Sequence, residues 1–151
     1  MDCDDASISD ILHNSRTVAI VGLSNKPERD SHEVAEYLQQ HGYRIIPINP
    51  VLAGQHVLGE HCHATLKEAA RDLAEQGVLI DVVDCFRKAE FVTELAAQAV
   101  EIGARTLWMP LGVINEEAAR IASRGGLKVV MDRCMKIEHT RDRLRQERGG
   151  V

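Results

Sequence analysis

Aromatic side chains make up only 3% of the 151 residues, with a single tryptophan, so any core in this chain has to be aliphatic. No apolar run approaches the roughly 18 residues of a membrane-spanning helix. The start Met1-Asp2-Cys3-Asp4-Asp5 also lacks the basic and apolar regions of a signal peptide, so the expected location is the cytoplasm. Positive charge is not in excess: 18 Lys and Arg against 23 Asp and Glu leave a formal charge of −5. That balance excludes a surface built mainly to neutralise nucleic-acid phosphates or anionic lipid. Cys3, Cys62, Cys85 and Cys134 are scattered and form no CxxC pair, which excludes a disulfide framework or a zinc ribbon and leaves reduced thiols.

What is present is an ordinary globular composition, 44% hydrophobic and 27% charged. A chain of this length suits one domain, residues 1–151, burying roughly 68–70% of its unfolded surface. Short runs rich in β-branched residues at 17–21, 44–48, 79–83, 105–109 and 128–131 are almost wholly apolar instead of alternating. Strands covered on both faces read this way, and they imply a parallel sheet. Between them lie helix-period segments carrying Val34 and Leu38, Leu66 and Leu73, Leu95 and Ala99, and Ala118 and Ile121. Ser31, Thr65 (three residues before Glu68) and Asn115 stand at expected helix starts, and Gly42, Gly77, Gly103 and Gly125 follow expected helix ends. A helix at about 8–14 precedes the first strand, and a charged helix at about 135–148 ends the chain.

The irregular stretch 49–63 contains room for one very short strand near 61–63, which would make six. Right-handed crossovers then favour an α/β, Rossmann-like, doubly wound parallel sheet in strand order 3-2-1-4-5-6. Its ligand crevice lies beyond the carboxyl ends of strands one and four. The first strand runs straight into Gly22-Leu23-Ser24-Asn25-Lys26-Pro27-Glu28-Arg29-Asp30-Ser31. Glycine permits a tight turn or close approach, a helix start presents free amides, and Lys26 and Arg29 add charge for an anion. Yet neither G-x-G-x-x-G nor a Walker pattern is present, and Asn49 stands where an NAD site would want an acidic ribose reader.

Gly22-x-Ser24-x-x-Pro27-x-Arg29-x-Ser31, Gly42-Tyr43 and Pro47-Ile48-Asn49-Pro50 together resemble the small CoA-binding protein family. The likeness continues through Asp81-Val82-Val83-Asp84 with Phe86-Arg87, Leu107-Trp108-Met109 with Leu111-Gly112-Val113, and Met131-Asp132-Arg133-Cys134, covering about 17–139. Such proteins are similar to the CoA-binding domain of the succinyl-CoA synthetase α subunit. The resemblance implies coenzyme A or an acyl-CoA as ligand. It assigns Gly22, Ser24, Arg29 and Ser31 to the phosphates, Asn49 and Pro50 to the nucleoside side, Phe86 and Arg87 to the next strand end, and Met109 and Gly112 to the pantetheine arm. Pro110 departs from the family, which usually has Gln after Trp-Met. As plain packing, Pro50 and Phe86 would be a turn residue and a core residue.

Other chemistry is sparse. His56, His61, Cys62 and His63 are the densest set of metal-ligand types, but on a strand Cys62 would oppose the two histidines, so solvated histidines are expected and no metal site. Cys134 follows Asp132-Arg133 where the last helix begins, a setting that can lower a thiol pKa, with His139 as a candidate base. Phosphohistidine, nucleotide-grasping, hydrolase and dehydrogenase constellations are not visible. A binding module without catalytic machinery leads. The alternatives are a CoA-dependent transferase or thiol-redox enzyme using Cys134, or a docking subunit of an acyl-CoA ligase.

Overall fold

In the computed structural model, residues 4–149 are described, so Cys3 and the first residues of the acidic start lie outside the described residues. Every residue of Thr17–Val21 is buried in strand β1, as a run without a polar face requires. Arg44–Ile48 forms β2, and Val82–Cys85, Thr106–Trp108 and Lys128–Val130 form β5, β6 and β7 around the short β3 (His56–Val57) and β4 (Glu60–His61). The main sheet is five-stranded, in order β2-β1-β5-β6-β7, and every pairing in it is parallel.

Two expectations about strands need correcting. Among the described residues the main sheet gains no sixth strand: β3 and β4 pair with each other as an antiparallel hairpin, and His63 reaches the sheet in a single parallel bridge to Ile48. The space runs out, because α3 (Leu66–Glu75), capped by Thr65, begins three residues after His63. Pro47 also offers the edge no N–H, only a carbonyl that accepts from the His63 amide at 3.1 Å. The expected strand at 79–83 starts later, since Leu79 is 63% exposed and the ladder with β1 opens at Val82. The Asp81 carboxylate accepts from the Arg16 and Thr17 amides at 2.8 and 3.0 Å, which pins the start of the strand beside β1.

α1 (Asp5–Asn14) begins before the expected 8 because Asp4 caps it, accepting from the Ser7 amide at 2.8 Å. α2 (Asp30–Gln40) is entered through Arg29, so Ser31 is not its cap. α4 (Val92–Glu101) and α5 (Glu116–Arg124) follow, the latter capped by Asn115, and α6 (Met135–Gly149) is last. After α5 the left-handed residue is Gly126, not Gly125. α1, α2 and α6 cover one face of the sheet over Ile20, Ile45 and Trp108, while α3, α4 and α5 cover the other over Ala19, Val83 and Leu107. The carboxyl ends of β1, β5, β6 and β7 therefore meet along one edge. Among the described residues no helix is long and apolar enough to cross a membrane.

Candidate functional site

At the end of β1 the chain turns at Gly22, with φ +90° and its amide donating to the Ile48 carbonyl at 2.7 Å. A Cβ here would lie 2.2 Å from the Phe86 carbonyl oxygen, so the neighbouring strand end already demands glycine. The loop beyond is braced from within. The Ser24 amide donates to Ser31 Oγ at 3.0 Å, and the Lys26 amide donates to Ser24 Oγ at 3.1 Å. Ser31 is thus buried as a tie between loop and helix, which explains why it does not cap α2.

This loop and the residues after β5 line a cleft of about 650 Å³. Lys26, Arg29, Arg87 and Lys88 face it, against the acids Glu28 and Asp30. None of those four cations has a carboxylate partner among the described residues. The Arg87 guanidinium lies 4.6 Å from the Phe91 ring centroid, which orients it without neutralising it. Positive charge is therefore concentrated at the start of α2, where the first amides of a helix lack intrahelical partners.

Phe86, Pro110 and Leu111 belong both to this cleft and to an apolar slot of about 290 Å³ between α2 and α6, completed by Val34, Cys134 and Ile137. Lys136 and Glu33, at 2.9 Å, form an ion pair at the rim of that slot. Leu111, Cys134 and Ile137 continue into a chamber of about 520 Å³, where Glu138, 3% exposed, is held by Arg133 and Arg141 at 3.5 and 3.4 Å. Shared walls make the three spaces one groove, charged at its first end and apolar at its middle.

Of the residues expected at the site, Gly22, Ser24, Lys26, Arg29, Ser31, Phe86 and Arg87 come together in the cleft. The others do not join them. The Asn49 side chain is already engaged, Nδ2 donating to the Leu23 carbonyl of the first loop at 3.1 Å and Oδ1 accepting from the Val51 amide at 2.9 Å. Pro50 opens an exposed 3-10 turn. Met109 is fully buried among the core residues on the α3–α5 side, and the Gly112 amide donates to Asp132 Oδ1 at 2.7 Å in a surface turn. Lys88 and Leu111 take places that were not foreseen. They follow Phe86-Arg87 and Pro110 directly, so their strand-end position was the available signal.

A pattern describing the CoA binding domain matches residues 16–140. The chain belongs to the CoA binding domain family. It is 37% identical over 134 residues to the uncharacterized protein YneT of Bacillus subtilis, covering 89% of this chain and 93% of that protein. Among solved structures it resembles a hypothetical protein from Pyrococcus horikoshii, 37% identical with a TM-score of 0.81, covering 92% of each chain. It also resembles a protein from Thermus thermophilus, 27% identical with a TM-score of 0.82, covering 93% of this chain and 99% of the other.

In this CoA binding domain the remaining reactive groups are placed apart. Asp84 on β5 lies two residues before Phe86, 1% exposed, and neither of its carboxylate oxygens has a hydrogen-bond partner. Burial pushes its pKa well above the usual carboxylate range, with the Cys85 amide pulling weakly the other way. Burial, with a smaller contribution from the adjoining Asp84, pushes the Cys85 thiol up, while burial raises Cys62. Cys134 is half-buried in the slot wall, and its carbonyl accepts from the Glu138 amide at 2.9 Å. His139 is not its partner, because its ring packs against Tyr37, His41 and Tyr43 instead. The histidine-rich loop sets His61 edge-to-face with His63 at 4.8 Å and pairs His63 with Asp72 at 3.0 Å. Among the described residues no group of three or more metal-ligand side chains is arranged to hold an ion.

Proposed function

We propose that this chain is a cytoplasmic binding protein for coenzyme A or an acyl-CoA, related in design to the CoA-binding domain of the succinyl-CoA synthetase α subunit. One observation carries the reading: cations without carboxylate partners open directly into an apolar slot within the same groove. Coenzyme A has that polarity, a diphosphate and 3′-phosphate at one end and a long, weakly polar pantetheine arm at the other. Phosphates at the 22–31 loop would meet helix amides together with Arg29, Lys26, Arg87 and Lys88. The arm would cross Phe86, Pro110 and Leu111, which take the role expected of Met109 and Gly112. The nucleoside would lie towards Asn49 and Pro50, where the Asn49 side chain is already engaged and the Pro50 ring is free to pack.

Pro110 has no amide to offer, so recognition of the arm at this point rests on apolar contact and not on the side-chain hydrogen bond of a glutamine. No catalytic step belongs to the reading, which is one of binding.

The decisive experiment is mass spectrometry of ligand released from the native protein, followed by competition between coenzyme A and NAD. Coenzyme A or an acyl-CoA should be released, and NAD should fail to displace it at comparable concentration, because the acidic ribose reader of NAD sites is absent at Asn49. NAD as the released or preferred ligand would overturn the assignment.

A second reading uses Cys134, and its place in the slot wall favours it. Two thiols joining as a disulfide release two protons and two electrons, so an added oxidant is required. Intact mass after mild oxidation with coenzyme A should then show a CoA-sized adduct that reductant removes. Its absence in wild type, or persistence in Cys134→Ser, assigns Cys134 to packing.

A further inference from the structure

The contact between α6 and the rest of the molecule is unusual in its chemistry. The buried residues of α6 are Met135, Glu138 and Asp142, so one apolar side chain alone is enclosed along a helix of 15 residues. Its hold on α1 and α2 is made by polar groups, and three histidines stand among them. From these contacts we propose that the polar cluster of His41, His139 and Arg143 is an acid-sensitive clasp that keeps α6 docked at neutral pH and loosens it on acidification.

The hydrogen bonds define the protonation state of the clasp. Arg143 Nη1 lies 2.7 Å from His41 Nε2, and a guanidinium can only donate. His41 Nε2 must therefore be bare, which leaves Nδ1 to donate to the Tyr37 carbonyl at 2.7 Å. A second proton on His41 would set an N–H against an N–H and an imidazolium beside a guanidinium. Next to it, His139 Nδ1 meets the Tyr37 hydroxyl at 2.9 Å, and its ring centroid lies 5.2 Å from that of His41. Thr140 Oγ1 reaches the same tyrosine hydroxyl at 2.9 Å.

Charges face this cluster from every element around it. On α6 are Lys136, Asp142 and Arg143. α2 brings Glu33, paired with Lys136, together with Tyr37 and His41, and α1 brings His13 and, further along, Asp5, paired with Arg145 at 3.2 Å. Tyr43, before β2, donates to the Leu12 carbonyl at 2.6 Å, and burial pushes its pKa up to about 12, so it stays neutral. Burial, then the neighbouring His41 and Arg143, hold the His139 pKa below its ordinary value, with Asp142 opposing. A histidine depressed in the docked state favours docking fully above its ordinary 6.5, and that preference is lost as pH falls below 6.5 towards the depressed value. His13 adds a smaller push in the same direction on His139 and lies 2.9 Å from Asp142. That contact is half exposed at His13 and therefore screened.

The consequence reaches the groove, because Cys134, Lys136 and Ile137 at the start of α6 form one wall of the slot. The clasp concerns the helix itself and stands whichever ligand fills the cleft. Hydrogen–deuterium exchange at pH 7.5 and 5.5, corrected for the intrinsic pH dependence of exchange, tests it on the full chain. Amides of α6 should exchange severalfold faster at the lower pH while β1 and β5 do not change. Combining His41→Gln with His139→Gln should abolish that pH difference, whatever the absolute rate. Equal α6 exchange at both pH values, or a difference that survives the double variant, overturns the clasp. Should the double variant not fold, the wild-type indole N–H of Trp108 supplies a separate readout, since it donates to the Arg133 carbonyl at 2.7 Å just before α6. Its NMR resonance should move between pH 7.5 and 5.5, and a stationary resonance overturns the proposal.

Discussion

The loop after β1, residues 22–29, and the loop after β2, residues 49–65, leave the same edge of the sheet from adjacent strands. In the second, polar groups face inward to one another. The Asn49 amide donates to the His63 carbonyl at 2.9 Å, the Gly54 amide to Cys62 at 2.9 Å, and the Cys62 amide to Gln55 at 2.8 Å. His63 at its end is paired with Asp72 of the following helix α3. In the first loop the serines brace the backbone, but Lys26 and Arg29 are left without acid partners. Both loops are irregular and rich in the residue types that bind ligands. The pairing state of those residues, more than their type, separates a binding edge from a scaffold.

Substitutions sharpen this contrast because the two loops should fail differently. The largest effect is expected from Gly22→Ala, where a left-handed φ and a Cβ 2.2 Å from the Phe86 carbonyl act together. A loss of about 3–5 kcal/mol is expected in denaturant unfolding. A variant of wild-type stability would mean that the strand ends can separate. Arg29→Ala should leave that stability unchanged while weakening coenzyme A by about 1.5–3 kcal/mol in calorimetry. Equal affinity would remove the first loop from the binding edge.

Asp84 supplies a control that touches neither loop. Asp84→Val replaces a buried carboxyl without partners and should stabilise the fold by about 1–3 kcal/mol at neutral pH. In the unfolded chain this carboxyl gives up its proton near 3.8, whereas the fold retains it. Wild-type stability therefore declines as pH rises above 3.8 towards the raised folded value, and the valine variant should lack that slope. An unchanged slope would assign the dependence to other groups. Asn49→Ala, losing both its turn cap and its bond to Leu23, should cost about 1–2 kcal/mol of stability. If it weakened coenzyme A while unfolding at the wild-type midpoint, the Asn49 side chain itself would contact the ligand. The smallest effect, under about 1 kcal/mol, is expected for His63→Gln, because Asp72 is half exposed and their attraction is screened. Thermal unfolding shifted by more than a few degrees would show that this contact holds the loop.

Much of this arrangement was legible in the residues. The apolar runs marked β1 and β2 to the residue, Thr65 and Asn115 marked two helix starts, and the strand-end placement of Arg29 and Arg87 brought them to one cleft. What escaped depends on partners distant in the chain. Asp81 sets the start of β5 through amides some 65 residues earlier, at Arg16 and Thr17, and local apolarity does not report such a bond. Ser31 carries the composition of a cap but has its oxygen occupied by Ser24. The resemblance assigns Met109 to the pantetheine arm, yet its side chain is fully buried in the core on the α3–α5 side.

The isolated carboxyl of Asp84 also gives the molecule an internal spectroscopic marker. A carboxylic acid, while protonated in apolar surroundings, has a carbonyl stretch well separated from those of ionised carboxylates, and burial of Asp84 favours that form. Two residues along the strand, Phe86 opens onto the cations of the cleft. Arrival of a polyanion there changes the local electric field, and the frequency of that stretch should move with it. Difference infrared spectra of wild type against Asp84→Asn would isolate the band, turning a group that costs the fold stability into a gauge of what occupies the groove.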